Sequence, residues 1–164
     1  MNEPSNFQVR VARAGERRVL TLGACRLAFV DGPPSATSGT TLEVRLPPSF
    51  DEWPTRAFLV TCVTYFVLEG DVRFTTPERD LTLGSEASFV VPARLPHRVS
   101  NPSSDAARLL LIAPSSIVGA YFEKLANLRA RSRAWPPEDG RAWQALCRSC
   151  RVLEDGPLLG KGPP

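Results

Sequence analysis

Histidine is almost missing from this chain: among 164 residues there is one, His97. Divalent metals need several deprotonated ligands converging on one point, so a centre built from several histidines is excluded. Lysine is nearly absent as well, with only Lys124 and Lys161, and arginine carries the positive charge. That bias fits the codon usage of a GC-rich bacterial genome. A net charge of +3 falls well short of the concentrated basic face that nucleic-acid binding requires. No apolar run approaches the roughly 18 residues of a membrane span. The opening MNEPSNFQVR lacks the apolar stretch of a secretory signal. A cytoplasmic protein with neither nucleic-acid nor membrane partners is the expectation.

What is abundant points elsewhere. Sixteen prolines and eleven glycines favour many turns and short elements over long helices. The 43% hydrophobic and 23% charged content is that of an ordinary globular chain, long enough to bury a core as one domain. The four cysteines are expected to stay reduced in a cytosolic setting. Cys25 and Cys62 lie in strand-like runs and read as buried inert thiols. Cys147 and Cys150 form a C-x-x-C inside ALCRSCRVL, which reads as helix. Redox chemistry places that motif at a helix start after a strand, so packing or surface roles are expected here.

Residues 1–8 read as a tail, 9–114 as a β-rich body and 115–164 as a helical extension with its own tail. The body offers the runs RRVLTL, CRLAFV, TTLEVRLP, AFLVTCVTYFVLEG, DVRFTT, DLTL, ASFVVP, HRVSN and ARLLLIA. Turn residues such as DGPP, PPSFDEWP, TTPERD and NPSSD separate them, the pattern of an all-β sandwich or barrel. In TTLEVRLP, Leu42, Val44 and Leu46 make one face interior and leave Glu43 and Arg45 outside. Beyond Pro114, Val118, Phe122, Leu125 and Leu128 share a helical face. After Pro136 and Pro137 a second amphipathic helix carries Trp143, Leu146, Cys147 and Cys150. Glu123 and Lys124 read as a solvated helix face.

Two stretches resemble the cupin superfamily. YFVLEGDVRF, from Tyr65 to Phe74, is similar to the strand, turn and strand ending the first cupin motif, with Glu69-Gly70-Asp71 read as a tight hairpin. PARLPHRVSNP resembles the second motif, with Pro92, His97 and Asn101 at the motif's spacing. Arg94 stands where that motif has glycine. The motif's opening glycine falls at Glu86, so a changed turn is expected there. GAYFEKLANL, AWQALCRSCRV and GPLLG resemble the ending of quercetinase-like cupins. The resemblance implies an all-β cupin-type β-barrel (jelly roll) with two short C-terminal α-helices, a cavity for one small ligand, and a homodimer.

Such cupins hold a metal through three histidines and a glutamate. Here the glutamate slot falls at Val63, and the first-motif histidine slots at Arg56 and Phe58, or at Ala57 and Leu59 in the shorter spacing. Only His97 survives, and no metal or other cofactor is expected; a rebuilt site using Asp51, Glu52 or Cys62 is the alternative. By strand alternation, Arg56, Phe58, Val63, Tyr65 and His97 point inward, joined by Leu95 and Val99. His97, Arg56 and Tyr65 are the candidate catalytic residues: a proton carrier, a fixed cation suited to a carboxylate or enolate, and a hydroxyl donor. Phe58, Val63, Leu95 and Val99 are candidate substrate-binding walls. The opposing readings are a satisfied core histidine, an arginine extending to the barrel mouth and a tyrosine that is only wall.

Three functions stay open. The first is a metal-independent enzyme of bacterial secondary metabolism, of cyclase, isomerase or lyase type, acting on an apolar oxygenated small-molecule substrate. The second is a non-catalytic ligand-binding barrel, a sensor or carrier. The third is a quercetinase-like dioxygenase with an altered metal site.

Overall fold

A computed structural model describes residues 11–32, 39–135, 137 and 140–154. The termini read as tails, and Pro136 of the Pro-Pro break, lie outside these residues. Strands β1 (Val19–Leu22), β2 (Cys25–Phe29), β3 (Thr40–Leu46), β4 (Arg56–Phe58), β5 (Val63–Glu69), β6 (Val72–Thr75), β7 (Asp80–Leu83), β8 (Ser88–Val91), β9 (Arg98–Ser100) and β10 (Ala107–Ala113) come first. Helices α1 (Ser116–Arg131) and α2 (Gly140–Cys150) follow, then strand β11 (Val152–Glu154). Every β-type run of the sequence carries a strand. The longest run splits into β4 and β5 around Leu59–Cys62.

The large sheet has the order β1-β2-β3-β10-β5-β8, and a smaller one the order β7-β6-β9. Strands β4 and β11 pair with each other and join the smaller sheet through one bridge, Arg56 to His97. The two layers form an all-β jelly roll. Their ladders do not close into a continuous ring: among the described residues, β1 and β8 remain edges of the large sheet. Leu42, Val44 and Leu46 face the core, as their alternation requires, and so do Tyr65, Val67, Leu109 and Leu111. From the smaller sheet Val72, Phe74 and Val99 meet them, with the Tyr65 and Phe74 rings 5.4 Å apart.

The turn at Gly70 is not a hairpin. Strand β5 pairs with β10 and β8, whereas β6 pairs with β7 and β9, so this turn carries the chain from one sheet to the other. Gly70 has φ +76°, and a Cβ there would lie 3.0 Å from the Ala106 carbonyl and 3.1 Å from the Ala107 Cα. Both the left-handed backbone and the close approach of β10 require glycine.

Two neighbouring turns keep a left-handed backbone without glycine. Glu86 has φ +68° and Arg94 φ +71°. The turn before β8 is therefore retained, contrary to expectation. The Glu86 amide donates to the Val67 carbonyl at 2.9 Å and the Arg94 amide to the Phe58 carbonyl at 2.8 Å, and these bonds hold the backbone where sterics disfavour it.

Helix α1 starts at Ser115, whose hydroxyl accepts the Ile117 amide at 3.3 Å. The Thr40 hydroxyl donates to the Ser115 carbonyl at 2.8 Å and accepts the Gly119 amide at 3.0 Å, which docks the helix start on β3. Val118, Phe122 and Leu125 are buried, as their spacing implies, and so is Tyr121. On α2, Trp143, Leu146 and Cys150 are buried. Glu123 and Lys124 do more than face solvent: Glu123 forms an ion pair with Arg18, and Lys124 Nζ donates to Ser149 Oγ at 2.9 Å, tying α1 to the sheet and to α2. Strand β11 was not expected from the sequence.

Two stability measurements follow. Phe122→Ala should cost about 3–5 kcal/mol, the range for a fully buried ring, read as a lowered denaturant midpoint. Glu86→Gly and Arg94→Gly should each stabilise the protein by about 1 kcal/mol, because both relieve a left-handed non-glycine residue on the surface; a lowered midpoint in both would contradict this.

Candidate active site

His97 is fixed before its side chain makes any contact. Its amide donates to the Arg56 carbonyl and its carbonyl accepts the Arg56 amide, both at 2.9 Å, so the start of β9 is pinned to β4. Tyr65 sits mid-strand in β5 between Leu111 and Phe89. From there its hydroxyl reaches His97 Nε2 at 2.8 Å. The other ring nitrogen, Nδ1, lies 3.1 Å from the Leu95 carbonyl. A carbonyl can only accept, so Nδ1 carries the proton and Nε2 accepts the tyrosine hydroxyl.

Burial sets the charge state of this pair. His97 is lowered from 6.5 to about 4, chiefly by desolvation and secondarily by the charge of Arg56, opposed by the Leu95 bond. Desolvation pushes the Tyr65 hydroxyl well above its ordinary range, with Arg56 opposing. Both are neutral at pH 7, with one proton between them.

The surrounding walls are closed. Phe58, Val63 and Val99 are buried around the pair, with the Phe58 ring 6.5 Å from the imidazole. Leu95 is only partly buried and contributes its carbonyl to His97. Tyr121 of α1 meets Phe58 edge-on at 5.5 Å. The helix thus lies over the interior, and Tyr65 and His97 are 0% and 1% exposed. Among the described residues, Tyr65, His97, Phe58 and Tyr121 form a chain of ring contacts through the interior. Tyr121 was absent from the sequence reading, although it lies three residues after Val118 on the same helical face.

Arg56 does not reach solvent either, being 2% exposed. Its guanidinium carbon lies 4.6 Å from the Trp53 ring centre, 5.4 Å from Phe122 and 5.6 Å from Tyr121, a desolvated cation–π arrangement. One nitrogen, Nη2, donates to the Pro54 carbonyl at 3.5 Å, and Nη1 has no partner. Directly across the β4–β11 ladder stands Glu154. It is also buried, and desolvation raises its carboxyl from 4.5 to about 7 against the opposing charge of Arg56. Sequence reasoning missed Glu154 because β11 lies in a segment that reads as helix end and tail. Trp53 went unused because PPSFDEWP reads as a turn.

The remaining expectations concern metal and structure. Arg56, Phe58 and Val63 supply no metal donor, and both nitrogens of His97 are engaged. Asp51 and Glu52 are exposed, as is Cys62, and Asp51 pairs with Arg98 at 3.4 Å. No group of three or more His, Cys, Asp or Glu residues suited to a metal occurs among the described residues. The donors present do not fit the family's metal. Asn101 is a loop clamp: its side chain donates to the Pro47 and Asp105 carbonyls at 2.9 and 2.7 Å and accepts the Ser103 amide at 3.0 Å. Cys25 is buried, and desolvation pushes it up to about 12; Cys147 and Cys150 are free thiols on α2. No helix among the described residues is long and apolar enough to cross a membrane.

The jelly roll, with the second-motif histidine inside it, has the cupin-type fold. Residues 61–113 match the Cupin domain family. Curated protein sequences give no match. Among solved structures, a cupin-superfamily sugar phosphate isomerase from Silicibacter pomeroyi is similar, with 14% identity, a TM-score of 0.54 and coverage of 60% of this chain and 70% of that one. Pac13, a nucleoside dehydratase, gives 13% identity, a TM-score of 0.54 and coverage of 66% and 83%; it comes from Streptomyces. The hydroxypropylphosphonic acid epoxidase of S. wedmorenis gives 20% identity and a TM-score of 0.53, over 63% of this chain and 58% of that one. At these identities the likeness is one of fold.

The buried histidine makes stability pH-dependent. With the folded value near 4 against 6.5 unfolded, the unfolded chain binds more protons as pH falls. His97's contribution is therefore intact above pH 6.5 and should fall by about 3 kcal/mol by pH 4. Glu154 has the opposite sign: raised to about 7, it costs stability as pH rises from 4.5 to 7. Denaturation of wild type and Glu154→Gln across pH 4–8 separates the two. The variant should gain stability relative to wild type as pH rises, and a flat difference would contradict the assignment.

Proposed function

We propose that this protein is a metal-independent enzyme acting on a small, apolar, oxygenated molecule by a non-redox reaction of cyclase, isomerase or lyase type. The carrying observation is the 2.8 Å hydrogen bond between Tyr65 Oη and His97 Nε2 inside the jelly roll. The Leu95 carbonyl holds the imidazole in one tautomer, leaving Nε2 as the basic atom. A substrate proton passes to Nε2, directly or through the Tyr65 hydroxyl, and returns to a different substrate atom, so the pair ends as it began. Arg56 balances the charge. Its cation disfavours imidazolium in the free protein, and a developing oxyanion beside it cancels that effect and restores the proton affinity of His97. Phe58, Val63 and Val99 shape the substrate. Access requires the Phe58–Tyr121 contact to open.

The isomerase and dehydratase among the similar folds catalyse reactions of this non-redox kind. Pac13 has also been solved with uridine as a tyrosine-to-phenylalanine variant and as a histidine-to-glutamine variant, which supports attention to a tyrosine and a histidine here. A second reading, a non-catalytic ligand-binding cupin, is favoured by one observation. His97 is satisfied on both nitrogens within a closed interior, as a structural residue would be.

Turnover and binding measured together separate the two. For an enzyme, His97→Ala should lower turnover about 100-fold or more, the range of a general acid or base, and Tyr65→Phe should lower it while sparing the fold. Arg56→Lys keeps the charge, loses the planar fork and should raise KM. For a binder the same changes weaken affinity and no product forms. Unchanged turnover in His97→Ala removes that residue from the mechanism.

A further inference from the structure

The surroundings of Arg56 hold more unpartnered polar atoms than a packed core tolerates. Arg56 Nη1, Trp53 Nε1, the Tyr121 hydroxyl and both Glu154 carboxylate oxygens are buried without a hydrogen-bond partner. Trp53, Arg56 and Tyr121 are 3%, 2% and 0% exposed, and the guanidinium touches both rings. Each unpartnered buried polar group carries a desolvation penalty, which is larger for a charged one. Besides Arg56 itself, three such residues, from the segment before β4, from α1 and from β11, neighbour its guanidinium or stand across the ladder from it.

The charges are unbalanced as well. Glu154 faces Arg56 directly across an antiparallel pair, so both side chains leave the same face of the ladder. Even so, none of the ion pairs among the described residues involves Arg56. A buried cation without a counter-charge is costly, and the neighbouring carboxyl is held towards its neutral form. What the site lacks is one negative charge and oxygen acceptors. A small pocket of about 10 Å³, room for one water, adjoins these residues through Trp53 and has Glu52 and Arg129 on its wall.

We propose that Arg56, Trp53, Tyr121 and Glu154 form an anchoring site for a substrate carboxylate beneath the C-terminal helices. This rests on the reading of Arg56 as a substrate-holding residue and narrows the substrate to a carboxylate-bearing molecule. The guanidinium fork matches a carboxylate in shape and charge, and the hydrogen bond it makes among the described residues is the long one from Nη2 to Pro54. The indole N–H and the phenol donate to the same anion. Glu154, protonated in the complex, donates to it or to a neighbouring hydroxyl. One guanidinium with neutral donors balances one charge, which favours a carboxylate over a phosphate dianion. The apolar rings around the anchor accommodate the rest of the molecule.

The test uses the full chain and titration calorimetry at pH 7 with benzoate, and with benzamide as its neutral isostere. Benzoate should bind at one per chain and benzamide at least about 10-fold more weakly, the difference expected for a charge-assisted bond. Tyr121→Phe deletes one donor and keeps the ring, whereas Trp53→Phe deletes the indole N–H together with part of the ring system. Each should weaken benzoate about 10-fold; Tyr121→Phe should leave the unfolding midpoint unchanged or raised, since an unpartnered polar atom is gone, and Trp53→Phe should lower it through the cavity left behind. Equal affinities for the two probes, no binding of benzoate, or unchanged benzoate affinity in both variants overturns the proposal and leaves only buried water at the site. Glu154→Gln should tighten benzoate by removing a competing charge. If it instead lowers the midpoint and creates carboxylate binding that the wild type lacks, Glu154 is the resident counter-ion of Arg56 and the proposal falls. The enzymatic reading fails separately. Benzoate binding with this pattern and no turnover of any substrate would retain the carboxylate site and discard the catalysis, whereas turnover of neutral substrates without benzoate binding would do the reverse.

Discussion

A guanidinium held away from water at the seam of two sheets and a helix constrains most of what surrounds it. The Arg56 backbone pins β4 to β9 through two hydrogen bonds with His97, and the same residue pairs β4 with β11 through Glu154. Its side chain ends among Trp53, Tyr121 and Phe122, so the loop before β4 and the buried face of α1 are organised around one cation. The aromatic faces offset part of the desolvation of that charge. They do not supply the hydrogen-bond acceptors that the guanidinium also requires. The strand arrangement, the position of α1 and the electrostatics of the interior therefore have one origin.

That origin explains why the interior differs from an open ligand-binding jelly roll. Arg56, Phe58 and Val63 put a fixed positive charge and two apolar side chains in the interior. The positive charge then works against protonation of the remaining histidine, which adds to burial in keeping His97 neutral. A neutral imidazole with its Nδ1 proton committed to Leu95 is an acceptor at Nε2, and Tyr65 fills that acceptor. The same arrangement is a satisfied core pair at rest and, under the proposed function, would handle a proton once an anion sits beside Arg56. On the enzymatic reading, substrate entry requires α1, whose Tyr121 ring covers Phe58, to move against its buried face as well as its Thr40 hydrogen bonds.

Much of the fold was legible because short-range rules govern it. Alternation put Leu42, Val44 and Leu46 inside and Glu43 outside, and the 3.6-residue period found Val118, Phe122 and Leu125. The spacing of Pro92, His97 and Asn101 placed the histidine in the interior and marked Asn101 as part of the turn that follows. The same rules misread the Gly70 turn, since a glycine-centred reversal between two strands looks identical whether the strands pair or part. They misread Glu86 as well: whether a non-glycine residue can hold a left-handed backbone depends on a partner such as the Val67 carbonyl, nineteen positions away in the chain.

The sequence by itself determined the all-β class, the two helices and the inward set containing Arg56, Phe58, Val63, Tyr65 and His97. These follow from residue type and from periods of 2 and 3.6, which are local. Only the tertiary structure decided that Tyr65 bonds His97, that Tyr121 covers Phe58, and that Glu154 stands opposite Arg56. Those contacts join residues 32, 63 and 98 positions apart. They depend on which strands become neighbours and where a helix docks, and side-chain patterning along one segment carries no record of either.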